Sequence, residues 1–315
     1  MKTHLLIPCT SRKRIPAEPA LRLGRADDTP WGSPLAEYVA SWTDRIDASK
    51  EEPLPASELY KGEQWAAVRN LVRDRPDVSV WVCSAGYGLI GYQTLLKSYS
   101  ATFTVGEPDS VHRVIERSSD ADRTTEWWSQ IANWNGPASH GPRRISHLVQ
   151  AEPKSRFVVA LSQSYIDACS ADLAEAALSA HRDRLIIVSS GEIPDSISQL
   201  RVPAPGALRN QLGGTVGTVA VRLAILLIST GETSGGLARG RAMRLSRLAG
   251  TLPRYERKRD PTGAEISDYI RRQINRDSGV SASALLRRYR DAGGACEQHR
   301  FQRIYREVME GASHG

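Results

Sequence analysis

The sequence predicts an α/β domain with a four-stranded, mostly parallel sheet, followed by a small basic all-α unit. Three observations carry this. Residues 2–8, 78–82, 156–161 and 184–188 are short apolar, β-branched runs that read as strands buried on both faces. The runs at 156–161 and 184–188 stand one helix apart, the spacing of a right-handed parallel βαβ unit. The charge is uneven: of a net +7, the chain from Arg239 onward holds 17 Lys/Arg against 9 Asp/Glu, and the preceding part holds 25 against 26. That asymmetry places a base-rich unit at the C-terminus.

Each element has its own justification. Residues 35–46 have helical spacing, with Leu35, Tyr38, Val39, Trp42 and Ile46 on one face. A helix over 63–73 feeds the strand at 78–82, and a helical or irregular piece is expected from there to Ser98, followed by a strand-like stretch at 99–104. Helices are expected at 123–134, 144–150 and 166–180, then a loop-rich region at 203–214 and a strongly apolar helix at 215–228. The Gly/Ser/Thr stretch 231–236 marks the boundary between domains 1–235 and 236–315. Beyond it lie a basic helix bearing Arg239, Arg241, Arg244 and Arg247, and a cluster containing Arg257, Lys258 and Arg259. Thr262-x-x-Glu265 is a capping box for a helix over 266–276, Ser281 opens a second helix carrying Arg287 and Arg288, and a third covers 297–309. Helix, glycine turn and helix with basic residues are compatible with a helix-turn-helix unit. The expected partner is therefore DNA, in duplex form.

No apolar run approaches the roughly 20 residues of a membrane span, and the N-terminal apolar stretch is too short for a secretory signal. A cytoplasmic protein without a membrane partner is expected. Cys9, Cys83, Cys169 and Cys296 form no Cys-x-x-Cys pair and have no His at zinc-ligand spacing, so neither a metal nor another cofactor is expected.

All four strands end in polar loops: Cys9-Thr10-Ser11-Arg12-Lys13-Arg14, Cys83-Ser84-Ala85-Gly86-Tyr87-Gly88, Ser162-Gln163-Ser164-Tyr165 and Ser189-Ser190-Gly191-Glu192. Ligands of open α/β sheets bind beyond the carboxyl ends of strands, so these loops are expected to share a cleft. Ser and Gly are also ordinary turn residues. The recurrence therefore indicates a place and not a chemistry.

Three motifs add a resemblance. Ile7-Pro8-Cys9-Thr10-Ser11-x-Lys13, Ala56-x-x-Leu59-Tyr60-x-Gly62 and Cys83-Ser84-Ala85-Gly86-Tyr87-Gly88-Leu89-Ile90, with Tyr99 following, resemble a small domain linked to 7-deazaguanine base exchange and archaeosine synthesis. The peroxide-stress YaaA family has a similar Leu-Tyr-x-Gly and Ser-x-x-Tyr-Gly-Leu arrangement. The resemblance covers residues 1–105 by motif and extends loosely to about 230 by strand order. It implies a three-layer fold of the uracil-DNA glycosylase-like group. The sequence departs from true uracil-DNA glycosylases: it has no Gly-Gln-Asp-Pro loop, and Ser189-Ser190-Gly191-Glu192-Ile193-Pro194 stands where their His-Pro-Ser motif would be.

The resulting expectation is a DNA N-glycosylase that excises a modified base, with defence against phage DNA as its setting. Such chemistry needs a flipped base, a carboxylate or polarised water at the anomeric carbon, and cations for phosphate. Glu58 and Glu192 are the candidate catalytic carboxylates. Cys9, Ser11, Lys13, Tyr60, Ser84, Tyr87, Tyr99, Ser162, Ser164 and Ser190 are the candidate substrate contacts. Two alternatives stay open: a non-catalytic DNA-binding stress protein, and an enzyme modifying a 7-deazaguanine base in DNA with Cys9 or Cys83 as nucleophile.

Overall fold

The apolar run THLLIP forms β1 (Thr3–Pro8), an inner strand of a six-stranded sheet. The structure is a computed structural model, and it describes residues 2–25, 29–119, 123–138, 141–181, 183–249, 261–276, 280–292, 294 and 296–312. After β1, helix α1 (Leu35–Ala48) buries Leu35, Tyr38, Val39, Trp42 and Ile46, the face that its spacing predicts. A short strand β2 (Leu54–Pro55), a single turn α2 (Ala56–Leu59) and helix α3 (Glu63–Asp74) lead to β3 (Val78–Ser84). β3 turns directly into β4 (Gly88–Gly91), and β5 (Leu95–Leu96) pairs back on β2.

The helices α4 (Val111–Ile115), α5 (Thr124–Ile131) and α6 (Ile145–Ala151) precede β6 (Arg156–Ala160). Helices α7 (Gln163–Ala168) and α8 (Ser170–Ser179) connect it to β7 (Leu185–Ser189), and β8 (Arg201–Pro203) follows. The short α9 (Arg209–Leu212), the apolar α10 (Val219–Ser229) and the basic α11 (Gly235–Ala249) complete this part.

The strand order is β4-β3-β1-β6-β7-β8. All pairings are parallel except β3 with β4. Chain direction across the sheet reverses at β1, which pairs with β3 on one side and β6 on the other. The topological switch point therefore lies at the carboxyl ends of β1 and β6, the usual place for a ligand in such sheets.

Several expectations are corrected. The sheet has six strands and not four, because β4 and β8 extend its two edges. The region expected to be helical or irregular before Ser98 holds β4 and β5; its four-residue run GLIG is too short for periodicity to separate strand from helix. The strand-like stretch at 99–104 makes only isolated bridges, Arg22 with Ser100 and Thr102 with Ser110, since two different neighbours share its backbone. The helix expected at 166–180 breaks at Cys169 into α7 and α8.

The chain divides into compact units Met1–Gly250 and Thr251–Gly315, so the boundary falls at 250 and not at 235. The reason is the small face of α11: Ala238, Ala242 and Ala249 are buried in the first unit's core, against β8 and α9. Half of the C-terminal charge excess thus belongs to the first unit, and residues 251–315 carry 13 Lys/Arg against 9 Asp/Glu. The second unit comprises α12 (Gly263–Ile274), α13 (Ala282–Asp291) and α14 (Gln298–Ala312) around Ile266, Ile270, Leu285, Leu286, Phe301 and Ile304. Its caps form as the sequence predicts. Thr262 and Glu265 bond each other's backbone N–H, and Ser281 accepts from the N–H of Ala284. Among the described residues no single helix is long and apolar enough to cross a membrane.

At the amino end of the sheet, His4 is fully buried and stacked on Phe157. Its Nδ1 accepts from Trp81 Nε1 at 2.9 Å, and its Nε2 lies 3.1 Å from Glu152. Burial lowers the His4 pKa below 6.5 despite the Glu152 contact. Burial opposes ionisation of Glu152, yet hydrogen bonds from Lys2, Ser155 and His4 outweigh it and hold the carboxyl at about 2. A lowered histidine contributes stability that is complete above its unfolded pKa and is lost as pH falls below it. A lowered carboxyl contributes stability that is lost from about 4.5 down towards 2. Unfolding by urea at pH 7.5, 5.5 and 4 should therefore show a stepwise loss of stability, and His4→Phe should remove the part lost between pH 7.5 and 5.5.

Candidate active site at the carboxyl ends of β1, β3 and β6

The site is built around the three-residue connection from β3 to β4. Ser84 Oγ accepts from the N–H groups of Gly86, at 3.2 Å, and Tyr87, at 3.1 Å, which closes the turn. The outward carbonyls are then taken one by one. Trp127 donates to Ala85, Trp42 to Gly86 and Arg143 to Tyr87, at 2.7, 2.8 and 2.6 Å. Arg143 also donates to the carbonyls of Leu89 and Trp134, and burial pulls its pKa to about 10, so it remains a cation at neutral pH. Gly86 is required by close approach, because a Cβ there would meet the Tyr99 ring at 2.6 Å.

With the turn fixed, hydroxyls converge beneath it. Tyr99 Oη lies 2.6 Å from Ser84 Oγ and 2.7 Å from Tyr60 Oη, and Tyr87 packs edge-on against the Tyr99 ring. Cys9 Sγ lies 3.0 Å from Tyr165 Oη. Cys9 is placed there by continuing β1 alongside β3, its N–H donating to the Cys83 carbonyl. Tyr60 is placed by a bridge to Lys13, and Gly62, at φ +107°, lets the chain turn from it into α3. Tyr60, Tyr99 and Tyr165 are raised well above the ordinary phenol pKa, first by burial and then by the neighbouring Cys9. They stay protonated at neutral pH and serve as hydrogen-bonding groups, not bases.

Lys13 closes the rim of this floor. Its Nζ donates to the Thr10 carbonyl at 3.1 Å and lies 4.1 Å from the centre of the Tyr99 ring. Burial lowers its pKa, against the opposing pull of Cys9 and Asp109. The ring beneath favours the charged form. Among the described residues no carboxylate forms an ion pair with it. Asp109 itself is held rigidly: its Oδ2 accepts from Nε and Nη2 of Arg22, its Oδ1 from the N–H of Gly24, and its side chain is only 10% exposed.

Of the sequence candidates, the structure brings together Cys9, Lys13, Tyr60, Ser84, Tyr87 and Tyr99. Ser11, Ser162 and Ser190 are exposed loop residues, and Ser162 and Ser164 contact each other at 3.5 Å. Glu58 sits in an exposed ion pair with Arg14, and Glu192, 90% exposed, in one with Arg201. Neither carboxylate bonds to any member of the cluster. Arg239 donates to the Gln199 carbonyl, Arg241 and Arg244 pair with Glu232, and Arg247 contacts Met243. Arg287 and Arg288 are exposed on α13, whereas Arg257, Lys258 and Arg259 lie outside the described residues. Sequence reasoning missed Tyr165 and Asp109 as site residues. Tyr165 carried a signal, since it ends one of the four strand-end loops. Asp109 carried none. Among the described residues no group of acidic, His and Cys side chains is arranged to hold a metal. No family model, curated protein or solved structure matches this chain.

The arrangement combines buried, mutually bonded hydroxyls, a cation above them and a buried carboxylate whose charge acts on that cation. Gly86→Ala should displace Tyr99 and cost about 1–3 kcal/mol. Gly217→Ala, whose Cβ meets nothing within 4 Å, should stay within about 0.5 kcal/mol in the same urea titration.

Proposed function

We propose that this chain is a DNA N-glycosylase that flips out a modified base, cleaves its N-glycosidic bond and leaves an abasic site, acting in defence against phage DNA with hypermodified bases. The observation that carries the reading is the ammonium of Lys13, which forms no ion pair among the described residues, above the Tyr60–Tyr99–Ser84 floor at the sheet's switch point. A flipped base offers a π face, edge donors and acceptors, and a leaving nitrogen that becomes electron-rich as the bond breaks. Hydroxyls that stay protonated suit the edges, and a cation with no carboxylate of its own suits the leaving base or an adjacent phosphate.

The sugar becomes cationic in the transition state and needs a carboxylate near the anomeric carbon. Asp109 fits that role better than Glu58 or Glu192. It is held by three hydrogen bonds in a nearly water-free position, and its charge acts on Lys13. The other two are in exposed ion pairs, where water screens their charge. A mostly parallel central sheet flanked by helices is compatible with the uracil-DNA glycosylase-like resemblance, although it has six strands and not four. The basic C-terminal unit supplies affinity for the DNA backbone.

A second reading has one specific observation behind it. Cys9 is 9% exposed and bonded to Tyr165, in the site, whereas Cys83 and Cys169 are wholly buried. An enzyme modifying a 7-deazaguanine base through a thiol nucleophile would use Cys9.

The test is incubation with a panel of normal and phage-modified DNAs, scoring abasic sites and released base by mass spectrometry. Base release from at least one modified DNA is expected, and release from none rejects the glycosylase reading. Asp109→Asn and Lys13→Ala should each lower the rate 100-fold or more, on the order of general acid–base and electrostatic contributions. Glu58→Gln and Glu192→Gln should stay within about threefold. Cys9→Ser should retain base release; loss of a base-modifying activity in that variant would favour the second reading. A chain ending at Gly250 should bind duplex more weakly, with a shallower salt dependence, than the full chain.

A further inference from the structure

A second feature lies beside this cluster. It is an open cleft of about 160 Å³ lined by Leu23, Gly24, Trp31, Arg113, Val114, Glu116 and Arg117. Trp31 is 74% exposed, an unusual setting for the largest apolar side chain. It is nevertheless held in place. The Arg117 guanidinium lies 5.0 Å from the centre of its ring and 5.9 Å from that of Tyr38, and the same arginine donates to the Thr29 carbonyl. The neighbouring backbone is tied down as well: Gly32 N–H and Tyr38 Oη both donate to the Arg117 carbonyl. One face of the indole is thus covered by a cation and the remainder meets solvent.

We propose that this cleft is a stacking subsite for one unpaired DNA base, with Trp31 as the platform and Arg113 contacting the adjoining phosphate. Four observations support it. A cavity of about 150 Å³ accommodates a single benzene-sized ring, and this cleft is of that scale, well below a drug-sized pocket. Any base can stack on an exposed indole, and an arginine behind the ring strengthens the platform. Arg113 is exposed, and among the described residues its side chain makes one bond, a long one of 3.4 Å to the Pro108 carbonyl, so its charge is available to an anion. Finally, the cleft adjoins the candidate active site through a direct contact. Gly24, in the cleft wall, donates its N–H to Asp109 at 3.1 Å, and a Cβ at Gly24 would collide with the Pro108 carbonyl. A base seated on Trp31 would be a near neighbour of a nucleotide seated at Lys13 and Asp109. The subsite rests on the reading of the chain as DNA-acting, but it requires no bond cleavage.

The test is a fluorescence-anisotropy titration of the full chain with a labelled, unmodified oligothymidylate at several salt concentrations. Trp31→Ala should weaken binding about tenfold or more, Trp31→Phe should retain most of the affinity, and Arg113→Ala should reduce the slope of log affinity against log salt by about one. Because Trp31 is exposed, the alanine variant should keep the wild-type thermal midpoint, which separates loss of the platform from loss of fold. Binding by Trp31→Ala within twofold of wild type overturns the proposal, as does absence of measurable binding by wild type. If oligothymidylate binds through Trp31 while no DNA in the panel releases a base, the subsite stands and the glycosylase reading fails. If a base is released and Trp31→Ala binds normally, the reverse holds.

Discussion

Three consecutive carbonyls, those of Ala85, Gly86 and Tyr87, would face a dry interior were they not met by Trp127, Trp42 and Arg143. A buried carbonyl without a donor costs about 1–3 kcal/mol, so this turn exists only because α1, α5 and the segment carrying Arg143 deliver their donors to it. The dependence also runs the other way. Trp42 and Trp127 are wholly buried, and their indole N–H groups would have no acceptor if the β3–β4 connection took another path. Helical cover and hairpin therefore fix one another, and the Ser84 hydroxyl, which closes the turn from inside, is aimed at Tyr99 as a result.

That geometry decides what kind of chemistry the site can support. Phenols deep in the core remain protonated, so they can read the edge of a ligand but cannot remove its proton. The ionic groups near them come from two loops, 9–14 and 99–110, which approach the floor from outside the sheet. Lys13 is kept close by its own backbone bridge to Tyr60, and Asp109 by its bonds to Arg22 and Gly24. The result is a division between neutral hydroxyls below and opposite charges above.

Much of this was legible in the sequence, and the parts that were not have physical causes. Strands β1, β3, β6 and β7 are mostly apolar and mostly buried, and such runs announce themselves. The edge strands β4 and β8 have four and three residues, too few to carry a period. The cluster of Cys9, Lys13, Tyr60, Ser84 and Tyr99 was readable because each ends a strand or falls in a quoted motif. Asp109 was hidden because its position is set by a bond to Gly24, a contact across 85 residues that no local pattern encodes. The boundary was misplaced because a Gly/Ser/Thr stretch looks like a linker, while the small face of Ala238 and Ala242 that docks α11 looks like nothing in particular.

The position of β1 also constrains how the molecule is made. Its register with β3 joins Thr3 to Val78, and its register with β6 joins Thr3 to Arg156. The first strand synthesised must therefore wait for roughly half the chain before both of its edges are occupied, and Tyr165, the partner of Cys9, arrives later still. Pairings this distant in sequence are slow because the intervening loop must be closed before any contact repays it. In a chain still emerging from the ribosome, β3 and β4 can pair early, but the turn between them waits for Trp127 and Arg143. The cluster is completed only once β6 has docked, so its geometry arrives with the sheet's central pairing and not with the motif-bearing third of the sequence.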